Sequence, residues 1–346
     1  MTEEKYMYRA LQLARNGLCN TPPNPMVGAV IVYKDKIIGE GYHVRCGEGH
    51  AEVNAIRSVK DVSLLKYATL YVTLEPCSHD GKTPPCADLI IDRQIPRIVV
   101  GCQDPFAAVA GRGIRKLREA GREVTVGMLE AACRHLIRRF ITFHTQHRPY
   151  ITLKWATSAD GYMDIHRTGG TPVVLSTPLT ALSVHKMRAE HAAILVGTHT
   201  AALDNPSLTV RHWYGRSPVR LVLDRTLSLP AHLHLFDGTV PTMVFTECTP
   251  TPALPGVEYI PTDYSRNILP QLLQTLYERK LQSLLVEGGS QLLQSFIDAG
   301  LWDEAVIEES PMRLLSGVSS PLIKGYETTR EIFGHRFRTI ASSASM

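Results

Sequence analysis

The first 146 residues alternate between two periods of hydrophobic and polar positions. Short apolar runs bounded by glycine, proline and polar clusters predict strands, whereas apolar residues three and four positions apart predict helices. The predicted strands are 29–33, 37–41, 69–73, 97–100 and 123–126. The predicted helices are 5–16, 52–60, 87–93, 113–120 and a long one from 129 to about 145. This alternation predicts an α/β fold with three layers, α/β/α.

The alternation starts again after a break at His147-Arg148-Pro149. Proline cannot continue the preceding helix, and the apolar run 150–154 predicts a new strand. We therefore place a domain boundary near residue 147, which gives one domain at 1–146 and another at 147–346. The second domain is also predicted to be α/β, with strands 193–196, 220–223, 242–246 and 283–287 and helices 178–191, 268–279 and 291–299.

Composition narrows the class of protein. A length of 346 residues favours two domains, and 44% hydrophobic with 20% charged residues is typical of a globular protein. The net charge of +4 is small, and no basic run with interleaved aromatics predicts nucleic-acid binding. No apolar segment predicts a membrane span and no signal peptide is recognisable. Seven cysteines fit a reducing cytoplasm better than a disulfide framework.

Candidate chemistry lies in His50-Ala51-Glu52 and in two later cysteines, Cys77 and Cys86. One imidazole and two thiols leave the fourth position of a tetrahedral zinc open, as a catalytic site requires. Zinc makes hydroxide available near neutral pH, and Glu52 is placed to shuttle protons. The residues predict a zinc-dependent hydrolytic deaminase. A closed structural zinc site is the weaker alternative, because no fourth ligand stands at a suitable spacing.

The sequence around these ligands predicts that they lie at the starts of helices. Apolar residues at helical spacing follow His50. Thr83 is a good N-cap and Pro84 suits the first helical position, so Cys86 is expected in a first turn. Because a predicted strand ends just before Cys77, we expect the ligands to meet at the carboxyl end of a sheet.

Eight residues separate the two cysteines, whereas zinc deaminases commonly have two. With that loop, the segments 23–28, 39–43, 50–52, 103–105 and 109–113 resemble the deaminase half of the bifunctional riboflavin-biosynthesis deaminase–reductases. The resemblance implies a cytidine-deaminase-like fold for the first domain. It also implies substrate contacts by Asn24, His43, His79 and Lys82.

The segments 150–154, 158–161, 204–211 and 286–289 resemble the reductase half of the same family. The resemblance implies a dihydrofolate-reductase-like α/β fold that uses NADPH to reduce a ribosyl group to a ribityl group. It implies substrate contacts by Lys154, Pro172, Arg188, Leu208, Arg211 and Glu287. The implied NADPH contacts are Ala156, Val174, Thr200, Asp204, Arg225, Gly289, Ser290, Gln291, Leu292, Leu293, Gln294 and Ser295.

Four features bear on the cofactor. Gly288-Gly289-Ser290 joins a predicted strand to a helix, where backbone N–H groups can hold a phosphate. No Gly-x-Gly-x-x-Gly fingerprint is present, which argues against an ordinary Rossmann domain. Pro172 and Val174 stand where the family often carries Ser-x-Trp. Arg225 replaces a small hydroxyl residue, and it either binds the 2′-phosphate of NADPH or is a solvated turn residue.

The resemblance as a whole implies a bifunctional enzyme of riboflavin biosynthesis that forms a dimer through its reductase half. Its substrate would be a phosphorylated pyrimidine, 2,5-diamino-6-ribosylamino-4(3H)-pyrimidinone 5′-phosphate. Three alternatives remain open: a deaminase of nucleic-acid bases, a deaminase whose second domain only dimerises, and a non-enzymatic zinc-stabilised module.

Overall fold

A computed structural model describes residues 3–78, 84–106, 110–250 and 252–342. The chain divides into two compact units, Met1–His147 and Arg148–Met346. Within the described ranges, we find no helix with both the length and the apolar character that a membrane crossing needs.

The first unit is built on a mixed sheet. Its strands are β1 (Gly28–Tyr33), β2 (Lys36–Tyr42), β3 (Thr69–Leu74), β4 (Arg97–Cys102) and β5 (Glu123–Val126). They lie in the order β2-β1-β3-β4-β5. β1 is antiparallel to both of its neighbours, whereas β3, β4 and β5 run parallel. The carboxyl ends of β3 and β4 therefore meet at one edge of the sheet.

Helices cover both faces of this sheet. They are α1 (Glu4–Ala14), α2 (Ala51–Arg57), α3 (Cys86–Asp92), α4 (Arg112–Glu119), α5 (Glu130–Leu136) and α6 (Arg138–Gln146). Because side chains alternate along a strand, Val30 packs with Met7 of α1 on one face, whereas Ile31 packs with Ile56 of α2 on the other. The result is the three-layer arrangement that the sequence predicted.

One predicted helix of this unit is divided. The long helix expected from residue 129 is broken at Ile137, whose φ of −102° and ψ of 20° lie outside the helical range. Ile137 is buried in the core together with Cys133 and Leu136. The break therefore separates α5 from α6 while the apolar residue at the junction stays in contact with the sheet.

The second unit contains a larger sheet in which parallel strands are extended by an antiparallel edge. The strands in their spatial order are β11 (Val257–Pro261), β10 (Thr242–Thr246), β9 (Val219–Leu223), β8 (Ala193–Val196), β12 (Ser283–Val286), β6 (Tyr150–Thr157), β13 (Glu304–Glu309), β16 (His335–Ala341) and β15 (Tyr326–Ile332). β16 is antiparallel to both β13 and β15. A separate short ribbon joins β7 (Tyr162–Asp164) and β14 (Val318–Ser319).

The helices of this unit pack on both faces of the large sheet. They are α7 (Pro178–Glu190), α8 (Thr198–Asp204), α9 (Ile268–Glu278) and α10 (Ser290–Asp298). Leu272 of α9 and Phe296 of α10 are fully buried against one face, and Ala201 of α8 is buried against the other. α7 begins with a capping box between Thr177 and Thr180. The sequence did not predict α8, β7, β11 or the strands after residue 300.

Candidate functional sites

The first candidate site lies where three elements of the first unit begin or end. His50 has extended backbone and is the N-cap of α2, Cys77 follows β3, and Cys86 is the first residue of α3. The prediction that Pro84 occupies the first helical position is wrong, because α3 starts two residues later with Pro85 as its extended N-cap. Thr83, the predicted N-cap, lies outside the described residues.

The three ligand atoms form a compact cluster. Nδ1 of His50 lies 3.5 Å from Sγ of Cys77 and 3.3 Å from Sγ of Cys86, and all the ligand atoms lie within 4.8 Å of one another. Around a tetrahedral zinc, nitrogen and sulfur ligands are separated by roughly 3.5 Å. The donors therefore fit zinc in both chemistry and spacing. They leave one position of a tetrahedron open.

Hydrogen bonds stabilise one thiolate within this cluster. The thiol of Cys86 is the main donor to Cys77, and His50 and the backbone N–H of Cys86 add to it, the latter at 3.3 Å. Although burial acts in the opposite direction, these bonds lower the pKa of Cys77 well below its usual range. A thiolate is the form of cysteine that binds metal ions.

Glu52 lies in the first turn of α2 and is only 3% exposed. Burial disfavours its charged form and, with the nearby Cys77, raises the pKa of Glu52 to about 7. Glu52 does not belong to the ligand cluster. The site thus contains a buried carboxyl group next to the candidate metal ligands.

Two of the predicted substrate residues lie together beside the cluster. The side-chain amide of Asn24 lies 3.1 Å from Nε2 of His43, and Nδ1 of His43 lies 3.2 Å from the carbonyl oxygen of Gly49. The imidazole of His43 is edge-on to that of His50, with 5.3 Å between ring centres. Burial lowers the pKa of His43, so its neutral form donates to Gly49 and accepts from Asn24. His79 and Lys82, the other two, lie outside the described residues.

The second candidate site lies in the second unit at the carboxyl ends of the central strands. Arg188 of α7 donates from Nε and Nη2 to the carboxylate of Glu287, at 2.8 and 2.6 Å. Lys154 of β6 is buried, and burial lowers its pKa while the nearby Glu287 and Glu308 oppose that shift. The structure therefore joins Lys154, Arg188 and Glu287 in one buried charged cluster.

Arg211 and Leu208 extend this cluster towards the surface. The guanidinium of Arg211 is exposed and donates to the hydroxyl of Thr209 at 3.0 Å, and the carbonyl of Thr209 accepts from Arg188 at 3.2 Å. Leu208 is buried and has a positive φ of 54°. His185 accepts a hydrogen bond from the backbone N–H of Arg211 at 3.2 Å. Sequence reasoning missed His185, which lies one helical turn from Arg188 on α7.

Glu308 is a second residue that sequence reasoning missed. Its carboxylate is fully buried, accepting a hydrogen bond from the hydroxyl of Ser176 at 2.6 Å and one from Nδ1 of His335 at 2.8 Å. The pairing of Val306 with Lys154 places Glu308 two positions further along the adjacent strand, on the same face as Lys154. The available signal was a glutamate directly after the short apolar run 305–307, for which the sequence analysis predicted no strand.

The predicted cofactor residues at the start of α10 have varied environments. Gly289 is the N-cap of α10, and no side chain among the described residues caps this helix. A Cβ added to Gly289 would lie 3.0 Å from the hydroxyl of Thr200, so these two residues adjoin. An uncapped helix start with a glycine fits a phosphate group. Of the remaining predicted contacts, Gln291 and Ser295 are exposed, Ser290, Leu292 and Gln294 are half-buried, and Leu293 is fully buried.

Other predicted contacts border the segment after β7. Arg167 in this segment forms ion pairs with Asp164 and with Asp204 of α8. Pro172 is exposed and Val174 is 73% exposed, so neither side chain packs in the protein as a buried aromatic residue would. Ala156 in β6 is half-buried.

Arg225 lies just after β9 and is exposed. Its Nε donates to Glu247 at 2.6 Å, and its guanidinium lies 5.8 Å from the ring centre of Tyr264. The hydrogen bond to Glu247 raises the pKa of Arg225. The arginine thus already has a carboxylate partner.

Comparison with known proteins defines the class of both units. Residues 1–102 match the family described as the cytidine and deoxycytidylate deaminase zinc-binding region, and residues 149–331 match the RibD C-terminal domain. A zinc-binding deaminase domain followed by this second domain defines a class of two-part proteins. Within that class, the chain belongs to the RibD family of riboflavin biosynthesis proteins.

Individual relatives match over nearly the whole chain. The riboflavin biosynthesis protein RibD of Bacillus amyloliquefaciens is 41% identical over 342 residues, covering 95% of this chain and 91% of its own. That of Escherichia coli is 36% identical over 331 residues, covering 91% and 89%. A solved structure from Thermotoga maritima, described as a diaminohydroxyphosphoribosylaminopyrimidine deaminase/5-amino-6-(5-phosphoribosylamino)uracil reductase, matches with a TM-score of 0.89 and 38% identity, covering 98% of each chain. The predicted family, fold class and enzyme class are confirmed.

Proposed function

We propose that the first unit hydrolytically deaminates 2,5-diamino-6-ribosylamino-4(3H)-pyrimidinone 5′-phosphate. The second unit then reduces the ribosyl side chain of the product to ribityl with NADPH. The observation that carries the proposal is the cluster of His50, Cys77 and Cys86 beside the buried Glu52, in a chain of the RibD family.

In the deaminase unit, His50 and the two thiolates of Cys77 and Cys86 would hold zinc. Zinc, when bound, makes hydroxide available near neutral pH. Glu52 would take one proton from the attacking water and give it to the ring nitrogen, and would then pass the remaining hydroxyl proton to the amine, which leaves as ammonia while the C–N bond breaks and the carbonyl forms. Its side chain is withdrawn from bulk solvent, so both protons are passed to the substrate and not lost to water.

Substrate recognition in this unit would begin with Asn24 and His43. Because the Nδ1–H of His43 is directed to Gly49, its Nε2 is an acceptor that fixes the amide of Asn24. The amide oxygen of Asn24 is then available to a donor on the pyrimidine. His79 and Lys82 belong to the loop between the cysteines and are proposed as further substrate contacts.

In the reductase unit, the pair of Arg188 and Glu287 would present polar groups of fixed orientation to the pyrimidine and the sugar. Arg211 is exposed next to this pair and is proposed to bind the phosphate, since guanidinium groups suit bidentate phosphate binding. Lys154 lies in the same buried cluster and is proposed as a further substrate contact. Leu208 and Pro172 are proposed to complete the substrate pocket.

NADPH would bind along the start of α10 and the adjoining start of α8, and when bound it supplies the reducing equivalent. Backbone N–H groups at the uncapped end of α10 would hold its phosphates. Thr200 adjoins Gly289 at this point. The other proposed contacts are Ala156, Val174, Asp204, Arg225, Ser290, Gln291, Leu292, Leu293, Gln294 and Ser295. Of these, Leu293 is fully buried and its N–H donates to the carbonyl oxygen of Gly289.

We also propose that the protein is a cytoplasmic homodimer formed through the second unit, on the basis of its family. A second candidate function keeps the deaminase but limits the second unit to dimerisation. It is favoured by the departure from Ser-x-Trp at Pro172 and Val174, both of which are exposed.

One assay with the diaminopyrimidine ribotide separates these functions. The proposal expects ammonia release and then NADPH oxidation by the same purified chain. Ammonia release without NADPH oxidation, even when the deaminated uracil ribotide is supplied, would support the dimerisation-only function. No ammonia release by zinc-loaded protein would reject the proposed deaminase.

A further inference from the structure

Glu75 is a buried carboxylate two residues before a proposed zinc ligand, and only 4% of the residue is exposed. Its Oε2 accepts backbone N–H bonds from Asp104 at 3.2 Å and Gly111 at 2.9 Å. Its Oε1 accepts from Gly113 at 2.9 Å and Ile114 at 3.3 Å. Both carboxyl oxygens of Glu75 therefore act as acceptors. Four donors satisfy this buried polar group.

These donors belong to α4 and to the chain that leads into it. Gly113 and Ile114 are in the first turn of α4, where N–H groups have no partner within the helix. The positive end of the helix dipole adds to the attraction for the carboxylate. Glu75, which directly follows β3, therefore binds two of the backbone N–H groups at the start of α4.

The next residue along the chain, Pro76, is held against the same helix by direct contact. A Cβ added to Gly113 would lie 1.9 Å from the carbonyl oxygen of Pro76, so only glycine allows this approach. The following residue is Cys77, whose carbonyl oxygen accepts from the N–H of Ala87 at 3.0 Å. Cys77 is thus held from one side by α3 and from the other through Glu75 and Pro76.

We infer that Glu75 is a positioning residue of the metal centre: by binding the start of α4 it fixes Pro76 and, through Pro76, the thiol of Cys77. The inference rests on the proposed function, because it assigns Cys77 to zinc. Partners that orient metal ligands typically change metal affinity or activity by about 10- to 100-fold when they are removed.

The test is Glu75→Gln in the full-length chain. The glutamine side chain has nearly the same shape, but its NH₂ group replaces one carboxyl oxygen. That NH₂ group would face two backbone N–H donors and could not accept their hydrogen bonds. Zinc affinity is measured by competition with a chelator, and the thiolate-to-cobalt absorption bands are recorded with Co²⁺ in place of zinc. We expect zinc affinity to fall by about 10-fold or more and the cobalt bands to shift. NADPH oxidation with the deaminated substrate should stay unchanged.

A second variant, Gly113→Ala, changes the contact between α4 and Pro76 directly. Its Cβ must displace the carbonyl of Pro76, so we expect a shift of the cobalt bands with Glu75 intact. Ile98→Ala is the matched control for stability, because it removes a fully buried core side chain from β4. That change is expected to destabilise by about 2–5 kcal/mol while leaving the cobalt spectrum of the folded protein unchanged.

Each outcome discriminates. Unchanged zinc affinity and unchanged cobalt bands in Glu75→Gln would overturn the inference. So would a loss of zinc affinity in folded Ile98→Ala as large as the loss in Glu75→Gln. If the unsubstituted chain binds zinc and releases ammonia, such a result rejects only the role of Glu75. If the unsubstituted chain does neither, the proposed function fails and the inference fails with it.

Discussion

Arg188 and Glu287 form a two-point ion pair across 99 positions of the sequence, with hydrogen bonds of 2.8 and 2.6 Å. Only 12% and 11% of their side chains are exposed. The sequence analysis predicted them as two separate substrate contacts. Because each neutralises the other in a buried environment, they form one unit whose members cannot be changed independently.

The first prediction follows from this pairing. Glu287→Ala or Arg188→Ala leaves an unpaired buried charge, and each should destabilise the second unit by about 3–5 kcal/mol. The double substitution should cost less than the sum of the two. Urea unfolding monitored by tryptophan fluorescence measures this, because the three tryptophans, Trp155, Trp213 and Trp302, all lie in the second unit. Additive costs would show that the two side chains act independently.

The second prediction concerns Glu52 and its ligand neighbours. Glu52→Gln keeps the shape of the side chain but cannot accept and return a proton, so ammonia release should fall about 100-fold or more. Its zinc content should stay normal, whereas Cys86→Ser should lower zinc content itself, because a hydroxyl is a poor substitute for thiolate. Metal analysis beside an ammonia assay distinguishes the two.

The reductase supplies the internal control for this comparison. Glu52→Gln should oxidise NADPH at the normal rate when given the deaminated uracil ribotide. Near-normal ammonia release by the zinc-loaded variant would remove Glu52 from the mechanism. Loss of both activities would contradict the assignment of one site to each unit.

The sequence predicted local features well and long-range contacts poorly. The strand β5 and the ligands beside α2 and α3 follow from residues within a few positions of one another. The break at Ile137 could not be predicted in this way, because the apolar periodicity continues through it. The position of the break depends on how the two helices pack against the sheet. Nor could the hydrogen bond from the N–H of Gly113 to Glu75 be predicted, since it depends on how α4 packs against the end of β3.

The edge strands of the second unit were missed for a related reason. β15 is almost entirely exposed, so it lacks the apolar alternation that indicates a strand. The charged cluster shows the same limit at the level of single residues. The family resemblance identified Lys154 and Glu287, but the buried Glu308 and its bonds to Ser176 and His335 appear only when β6, β13 and β16 are adjacent.

The third prediction is a pH dependence centred on His185. Burial, reinforced by Arg188 and Arg211, lowers the pKa of His185 to about 4 from an ordinary 6.5. The folded unit therefore favours neutral imidazole, and its Nδ1 accepts the N–H of Arg211. Above pH 6.5 the imidazole of His185 is neutral in both the folded and the unfolded chain, so its titration does not change the free energy of unfolding. As the pH falls from 6.5 to 4 the unfolded chain takes up the proton more readily, so the second unit should lose stability.

His185→Asn is the matched variant, because its amide oxygen can accept from Arg211 without titrating. Urea midpoints from tryptophan fluorescence, measured between pH 6.5 and pH 4, should fall less steeply for the variant than for the unsubstituted chain. Carboxylates that titrate in the same range contribute equally to both. Parallel curves for the two proteins would show that His185 does not titrate in this way.

The last prediction concerns cofactor choice by Arg225 and Glu247. NADPH differs from NADH by a 2′-phosphate, which an arginine can meet with paired charge-assisted hydrogen bonds. Arg225 already donates to Glu247 at 2.6 Å, so the phosphate must compete with that carboxylate. Arg225→Ala should raise the KM for NADPH about tenfold and hardly change that for NADH. Glu247→Gln should lower the KM for NADPH, because it frees Arg225 and removes a negative charge. Equal changes for both cofactors, or none, would make Arg225 a solvated turn residue.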